Sequence, residues 1–296
     1  MSAELLKGAP LAGALRREVV AAIESAGVTP CLANIIVGDD GAAGSYLDSL
    51  DKAASKRGIA TRRIRLDEDI SESCLCEAVT EAGNDADIHG LMIQFPLPDG
   101  IDRQRVTDLI PAAKDVDGLT TTSLGSVMAG ERRHTAPATA AAVVEILATG
   151  GEDNPALDPS GKHITIVGRS LVVGRPLAAM LGAPIYGGQA TVTVCHSRTQ
   201  HLEVHTQRAD IVVMAVGQRH MLTPAMVKPG AVVVDVGTHP VERDGKWTLD
   251  GDVHPDVEEK AGYLTPVPGG VGIVTTAVLM RHVAAAACPD QLEPAW

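Results

Sequence analysis

His163-Ile164-Thr165-Ile166-Val167-Gly168-Arg169-Ser170-Leu171-Val172-Val173-Gly174-Arg175-Pro176 is the stretch that decides the fold. A short apolar, β-branched run goes straight into a glycine. A second glycine and a proline open the next element. This reads as a buried strand, a tight turn and the first turn of a helix, where proline's fixed φ and missing N–H are tolerated. Backbone N–H groups and the helix dipole at such a turn face an anion, so the turn is a candidate pyrophosphate site. The spacing is not GxGxxG, and the dinucleotide fingerprint is only partly met. Taken alone, the turn also reads as an ordinary strand–helix connection.

Downstream, Ala190 to Cys195, Ile211 to Val216 and Val232 to Val236 are further short Val/Ile runs, as expected of parallel strands buried on both faces. A strand that binds NAD usually ends in an Asp or Glu for the ribose 2′-hydroxyl. Here Ala190 to Cys195 ends in His196-Ser197-Arg198, without a carboxylate. That ending, with the guanidinium of Arg169, favours the 2′-phosphate of NADP over NAD. Cys195, His196, His201 and His205 fit no zinc spacing, and no metal is predicted.

Upstream, strand and helix patterns alternate again. Leu11 to Ala26 has helical apolar spacing, Leu32 to Val37 is a strand closed by Gly38-Asp39-Asp40-Gly41, and Ala42 to Arg57 is helical. Thr61 to Leu66 and Gly90 to Phe95 read as strands, Ser71 opens a helix, and Asp102 to Ile110 is another. Leu119 to His134, rich in Thr, Ser and Gly, reads as irregular at first, and Ala138 to Ala148 as a long apolar helix. The Pro- and Gly-containing stretch Gly150 to Gly161 reads as a boundary before the second strand–helix series. The last helix, Thr275 to Ala287, is too apolar to be a free tail. The predicted fold is α/β with a largely parallel sheet and two domains. Residues 1–136 form the first, joined by the returning C-terminal helix 274–296, and 137–273 form a Rossmann-type NAD(P)-binding domain.

The chain has 296 residues, 45% apolar and 21% charged, which supports about two domains with sizeable cores. Its net charge of −12 argues against nucleic-acid or anionic-membrane partners. Aromatic residues make up 2%, too few for base-stacking platforms. Five dispersed cysteines without a CxxC, and no long apolar run, point to a reduced, cytoplasmic protein.

Several words of the sequence are more specific. Val37-Gly38-Asp39-Asp40, Ser45-Tyr46, Gln94-Phe95-Pro96-Leu97-Pro98, Lys114-Asp115-Val116-Asp117-Gly118, Gly168-Arg169-Ser170-Leu171-Val172-Val173-Gly174, Cys195-His196-Ser197 and Pro266-Val267-Pro268-Gly269-Gly270-Val271-Gly272 occur in this order. Together they closely resemble the methylenetetrahydrofolate dehydrogenase/cyclohydrolase family, from about residue 5 to 285. The resemblance implies a homodimer with a folate cleft between the first domain and an NADP-binding Rossmann domain. It implies oxidation of 5,10-methylenetetrahydrofolate to the 5,10-methenyl form, commonly followed by hydrolysis to 10-formyltetrahydrofolate. Carried over by position, Tyr46 stacks on the folate, Gln94 sits beside the catalytic centre, and Asp117 binds the pterin. Pro268, Gly269, Gly270 and Val271 line the same cleft. Gly168, Arg169, Ser170, Gly174, Ser197 and Thr275 hold the cofactor.

The chain departs from the family pattern at one chemically decisive position. The motif places a lysine four residues after the tyrosine, on the same helix face, and here that residue is Leu50. Lys52 lies ~240° round the helix from Tyr46, and Lys56 roughly 15 Å along it, so neither substitutes. Hydride transfer is mostly a matter of positioning. Hydrolysis needs an activated water and proton transfer, for which a lysine of lowered pKa is suited and a leucine is not. Dehydrogenase activity is therefore expected, with cyclohydrolase activity lost or weak. Further departures are His134-Thr135-Ala136-Pro137, Thr139, Thr238-His239, His89-Gly90 and Ile273. They leave open the same fold acting on another one-carbon or pterin substrate, or a non-catalytic folate- or nucleotide-binding paralogue.

Overall fold

The computed structural model describes residues 2–38, 43–184, 188–243 and 245–296. The first part of the chain forms β1 (Glu4–Leu5), α1 (Ala9–Ala26), β2 (Cys31–Val37), α2 (Ala43–Ser55), β3 (Ala60–Leu66), α3 (Glu72–Asn84), β4 (Gly90–Ile93), α4 (Arg103–Thr107) and α5 (Thr121–Met128). The second part forms α6 (Ala138–Asp153), β5 (His163–Val167), α7 (Gly174–Gly182), β6 (Thr191–Cys195), α8 (Leu202–Thr206) and β7 (Ile211–Met214). It closes with β8 (Val232–Asp235), β9 (His239–Arg243), β10 (Lys246–Asp250), β11 (Tyr263–Leu264) and α9 (Val271–Ala287). Two compact units result. An N-terminal unit holds Gly13–Ala138 and Thr276–Trp296, and a Rossmann unit holds Met1–Ala12 and Thr139–Thr275.

The N-terminal unit is built on a parallel sheet of order β3-β2-β4. Central β2 is buried from Cys31 to Ile36, as its unbroken apolar run requires. Helix α3 starts where the Ser71 side chain accepts a hydrogen bond from the Cys74 amide at 3.2 Å, satisfying one of its free N–H groups. Its buried residues Leu75, Val79 and Ala82 pack with Ile35, Leu91 and Val106. Burial of each such Leu, Ile or Val side chain contributes roughly 1.5–3 kcal/mol.

The Rossmann unit has a parallel sheet of order β1-β11-β8-β7-β5-β6, with an antiparallel β9–β10 hairpin inserted in the chain between β8 and β11. The chain leaves β5 for β6 on one side and returns to β7 on the other. The carboxyl end of β5 is thus a topological switch point, where ligands of open α/β sheets bind. Among the described residues, no helix is long and apolar enough to cross a membrane.

Several boundaries differ from the sequence reading. Residues 121–128 form a helix, started by the Thr120 hydroxyl accepting from the Ser123 amide, where an irregular segment was expected. Strand β4 stops at Ile93, two residues early. Helix α4 ends at Thr107, and α9 begins at Val271 instead of Thr275. Strand β6 is at the sheet edge, so Thr191, Thr193 and Val194 are exposed rather than buried on both faces. The first residues, assigned by sequence to the first domain, instead contribute β1 to the Rossmann sheet through pairing with β11. The expected turn at Asp39, Asp40 and Gly41 lies outside the described residues.

Candidate functional site

In the N-terminal unit, one end of the sheet gathers the predicted residues. Gln94 follows β4 directly and extends the ladder, its amide donating to the Ile35 carbonyl at 2.9 Å. Its side-chain Nε2 donates to Asn34 Oδ1 at 3.1 Å. Asn34 is fully buried in β2, and its Nδ2 finds no partner among the described residues. A polar residue inside an otherwise apolar strand was the one sequence signal for Asn34, and the sequence reading passed over it.

Asp117 sits in a loop held from both sides. The carboxylate of buried Asp115 accepts from the amides of Leu119 (3.1 Å) and Thr120 (2.9 Å) and from the Ser123 hydroxyl (2.6 Å). The neighbouring Val116 carbonyl accepts a bond of 2.9 Å from Nδ1 of His282 on α9. A carbonyl only accepts, so the His282 proton is on Nδ1. Burial pushes the His282 pKa down to about 4, so this imidazole is neutral near pH 7. Gly118 has φ +69°, and a Cβ there would meet the Ala136 carbonyl carbon at 2.4 Å, so only glycine permits the loop's return. Desolvation first, and then the charge of Asp115, push the Asp117 pKa up to about 7, while Arg103 opposes the rise.

Tyr46 on α2 is 43% exposed. Desolvation and the Asp117 charge push its phenol up to about 12, so it remains protonated. Leu50, one turn on, is only 1% exposed and buried with Leu47 and Ala54 of the same helix. Lys52 and Lys56 are exposed. Phe95 carries the Arg103 guanidinium over its ring, with Cζ 3.7 Å from the centroid. Arg103 and Phe95 were not singled out from sequence as site residues. Nothing in their spacing signals that they meet.

In the Rossmann unit, Gly168 follows β5 with φ +134°, and a Cβ there would lie 2.2 Å from the Ala215 carbonyl oxygen. A Cβ on Gly174 would lie 2.1 Å from the Gly168 oxygen. Both glycines are therefore sterically required by the turn. The Ser170 hydroxyl accepts from the Val173 amide at 3.1 Å, bracing the turn from within. No side chain caps the start of α7, and its Arg175 amide donates to the Ser170 carbonyl at 3.1 Å, closing the turn onto the helix. Arg169, Ser197 and Arg198 are exposed, with no carboxylate at the end of β6. The Thr275 hydroxyl bonds the Val271 carbonyl of its own helix at 3.1 Å. Pro268 and Gly269 (φ +106°) precede buried Gly270 and Val271, which opens α9.

One further residue escaped the sequence reading. Fully buried Asp252 accepts with Oδ2 from the amides of Val216 (2.8 Å) and Gly217 (3.1 Å), and its Oδ1 pairs with His239 Nε2 at 2.8 Å. It thereby fixes the loop after β7, next to the Gly168 turn. Among the described residues, no group of three or more His, Cys, Asp or Glu is placed to hold a metal.

Comparison with known proteins gives this geometry its context. Residues 6–117 match the family model for the tetrahydrofolate dehydrogenase/cyclohydrolase catalytic domain, and residues 137–291 match that for its NAD(P)-binding domain. The chain belongs to the tetrahydrofolate dehydrogenase/cyclohydrolase family. A bifunctional protein FolD of Variovorax paradoxus is 42% identical over 291 residues, covering 97% of this chain and 98% of the relative. The structure of a bifunctional methylenetetrahydrofolate dehydrogenase/cyclohydrolase from Campylobacter jejuni is 36% identical with a TM-score of 0.89, covering 98% of this chain and all of that one. The Trypanosoma brucei methylenetetrahydrofolate dehydrogenase-cyclohydrolase, solved with NADP cofactor and an inhibitor, is 32% identical with a TM-score of 0.87, covering 97% of each chain. The two family domains fall largely on the two units, except that the fold places residues 6–12 in the Rossmann unit and residues 137–138 and 276–291 in the N-terminal unit.

Proposed function

We propose that this chain oxidises 5,10-methylenetetrahydrofolate to the 5,10-methenyl form with NADP, and that its cyclohydrolase activity is lost or weak. The observation that carries the first part is Asp117, beside Tyr46 and Gln94, in a chain of this family. The Asp117 carboxylate accepts two N–H bonds from the amino-pyrimidine edge of the pterin. Tyr46, a protonated and half-exposed phenol, offers its ring to the substrate. Gln94, steadied by Asn34, presents its amide at the reacting end.

The Rossmann unit fits the cofactor. Two glycines let the backbone approach a pyrophosphate closely, and the positive end of the α7 dipole follows the turn. Arg169 and Ser197 take the 2′-phosphate. When bound there, NADP would supply the acceptor for the hydride lost from the methylene carbon. The chain's own contribution is to hold that carbon in place and keep Asp117 and Gln94 oriented.

Leu50 supports the second part. The relatives are named as bifunctional, and this reading departs from them at the one position where the family motif carries a lysine. A buried leucine neither gives nor takes a proton. As the resemblance implies, the working form is a homodimer. Light scattering should return twice the chain mass, and a monomer mass would contradict it. Steady-state assays with NADP and NAD test the main reading. Turnover of methylenetetrahydrofolate that prefers NADP and falls at least ~10-fold in kcat/KM in Asp117→Asn is expected. An absence of turnover by folded protein that binds NADPH would overturn it.

A further inference from the structure

Arg103 carries chemistry that the proposed oxidation leaves unused. Its backbone is fixed at the start of α4. The Asp102 carboxylate caps this helix, accepting from the Gln104 and Arg105 amides at 3.0 and 3.1 Å. The Asp102 amide in turn donates to Glu72 at 2.7 Å. Neighbouring Arg105 is paired with Glu72 at 2.8 Å. The Arg103 guanidinium, by contrast, meets no acceptor among the described residues. It lies over Phe95, with Cζ 3.7 Å from the ring centroid.

This arrangement has a directional consequence. Stacking occupies one face of the guanidinium plane, while all five N–H donors lie in that plane and remain available. Phe95 fixes the plane's orientation, so a planar acceptor loses little freedom in binding to it. Phe95 and Asp117 line the same small cavity, with Leu91 and Ile93. Arg103 is also near enough to Asp117 to favour its ionised form. The site thus sets an acceptor, Asp117, and a donor fork, Arg103, around one aromatic ring.

The ligand edge that matches this pair has donors and an acceptor side by side. The amino-pyrimidinone ring of a pterin is such an edge, with a 2-amino group and N3–H next to the 4-oxo oxygen. We propose that Arg103 is a specificity-determining residue that hydrogen-bonds the 4-oxo oxygen of the pterin while Asp117 takes the donors. The inference rests on the folate reading under Proposed function. It implies discrimination against a 2,4-diaminopteridine, whose 4-amino group turns donor against donor. Losing a partner for a charged donor is the kind of mismatch that separates close analogues strongly.

Equilibrium titration tests this with three ligands: folic acid, the 2,4-diamino analogue with the same tail, and NADPH. Wild-type protein, Arg103→Leu and Phe95→Leu are compared. Arg103 is exposed, so its replacement leaves the core intact. The expected result is that Arg103→Leu loses about 10-fold or more in affinity for folic acid, keeps or gains affinity for the diamino analogue, and binds NADPH as before. Phe95→Leu moves in the same direction by less, because the guanidinium survives without its platform. If both pteridines weaken equally in Arg103→Leu, or neither changes, the Arg103 assignment is overturned while the folate reading stands. If wild-type protein binds NADPH but neither pteridine, the folate reading falls and takes this inference with it.

Discussion

If Asp117 binds the pterin as proposed, its protonation sets a pH dependence for the site. Desolvation and Asp115 raise its pKa from 3.8 to about 7, so in the free protein the carboxylate forms only above that value. A donor edge needs the carboxylate, and pterin affinity should therefore fall as pH drops through about 7. Asp117→Asn should abolish that dependence and weaken binding at pH ~8 by roughly 1.5–3 kcal/mol, measured by titration across pH. Folding stability runs the other way. A carboxyl whose folded pKa is raised contributes stability below its unfolded pKa, and that contribution is lost as pH rises through the folded value. Asp117→Asn should accordingly raise Tm more at pH ~8 than at pH ~5. The words that hold Asp117, Gln94 and Tyr46 stand out in the sequence because they have few other uses. Arg103 over Phe95 and Asp252 under Val216 do not, because these contacts join residues whose proximity no periodicity encodes.

Elements were legible where burial imposed a pattern. Strands β2, β5, β7 and β8 are enclosed, so their Val/Ile runs are largely unbroken. Helix α5 was missed because its Thr, Ser and Gly content has poor helix propensity. It is held instead by the Thr120 cap and by Asp115 beneath it. The β5–α7 turn makes a sharp prediction. Gly168→Ala places a methyl 2.2 Å from the Ala215 oxygen at φ +134°, so the turn must open. NADPH binding should be lost and stability should fall by more than about 1 kcal/mol, as checked by NADPH titration and urea unfolding. Helix α9 makes another, through His282 and the Val116 carbonyl. Its pKa is depressed from 6.5 to about 4, so between those values the unfolded chain binds a proton that the folded one refuses. Stability should fall as pH drops through that window, and His282→Gln should flatten the slope in urea unfolding.

At the scale of the whole molecule, the two-unit division follows the family's two domains, and chain length foretold the number. The assignment of the first twelve residues was not foretold. A two-residue strand such as β1 leaves no periodic trace, and its place is set by pairing with Tyr263 and Leu264 far along the chain. The proposed pterin and cofactor residues lie on different units. Gly168→Ala should therefore spare pteridine binding, and Asp117→Asn should spare NADPH binding, in parallel titrations of the two variants. The two reactions of the family also separate in their demands. Oxidation needs positioning, the role proposed for Tyr46, Gln94 and Asp117. Hydrolysis needs a proton carrier, and the proposed loss of that reaction rests on Leu50 standing where the family motif has a lysine. The decisive measurement is the hydrolysis of 5,10-methenyltetrahydrofolate by wild-type protein and by Leu50→Lys, with methylenetetrahydrofolate oxidation followed in the same preparations. Oxidation by the wild type with hydrolysis near the solvent rate is expected, together with a gain of hydrolysis in Leu50→Lys. Wild-type hydrolysis well above the solvent rate would overturn the role proposed for Leu50.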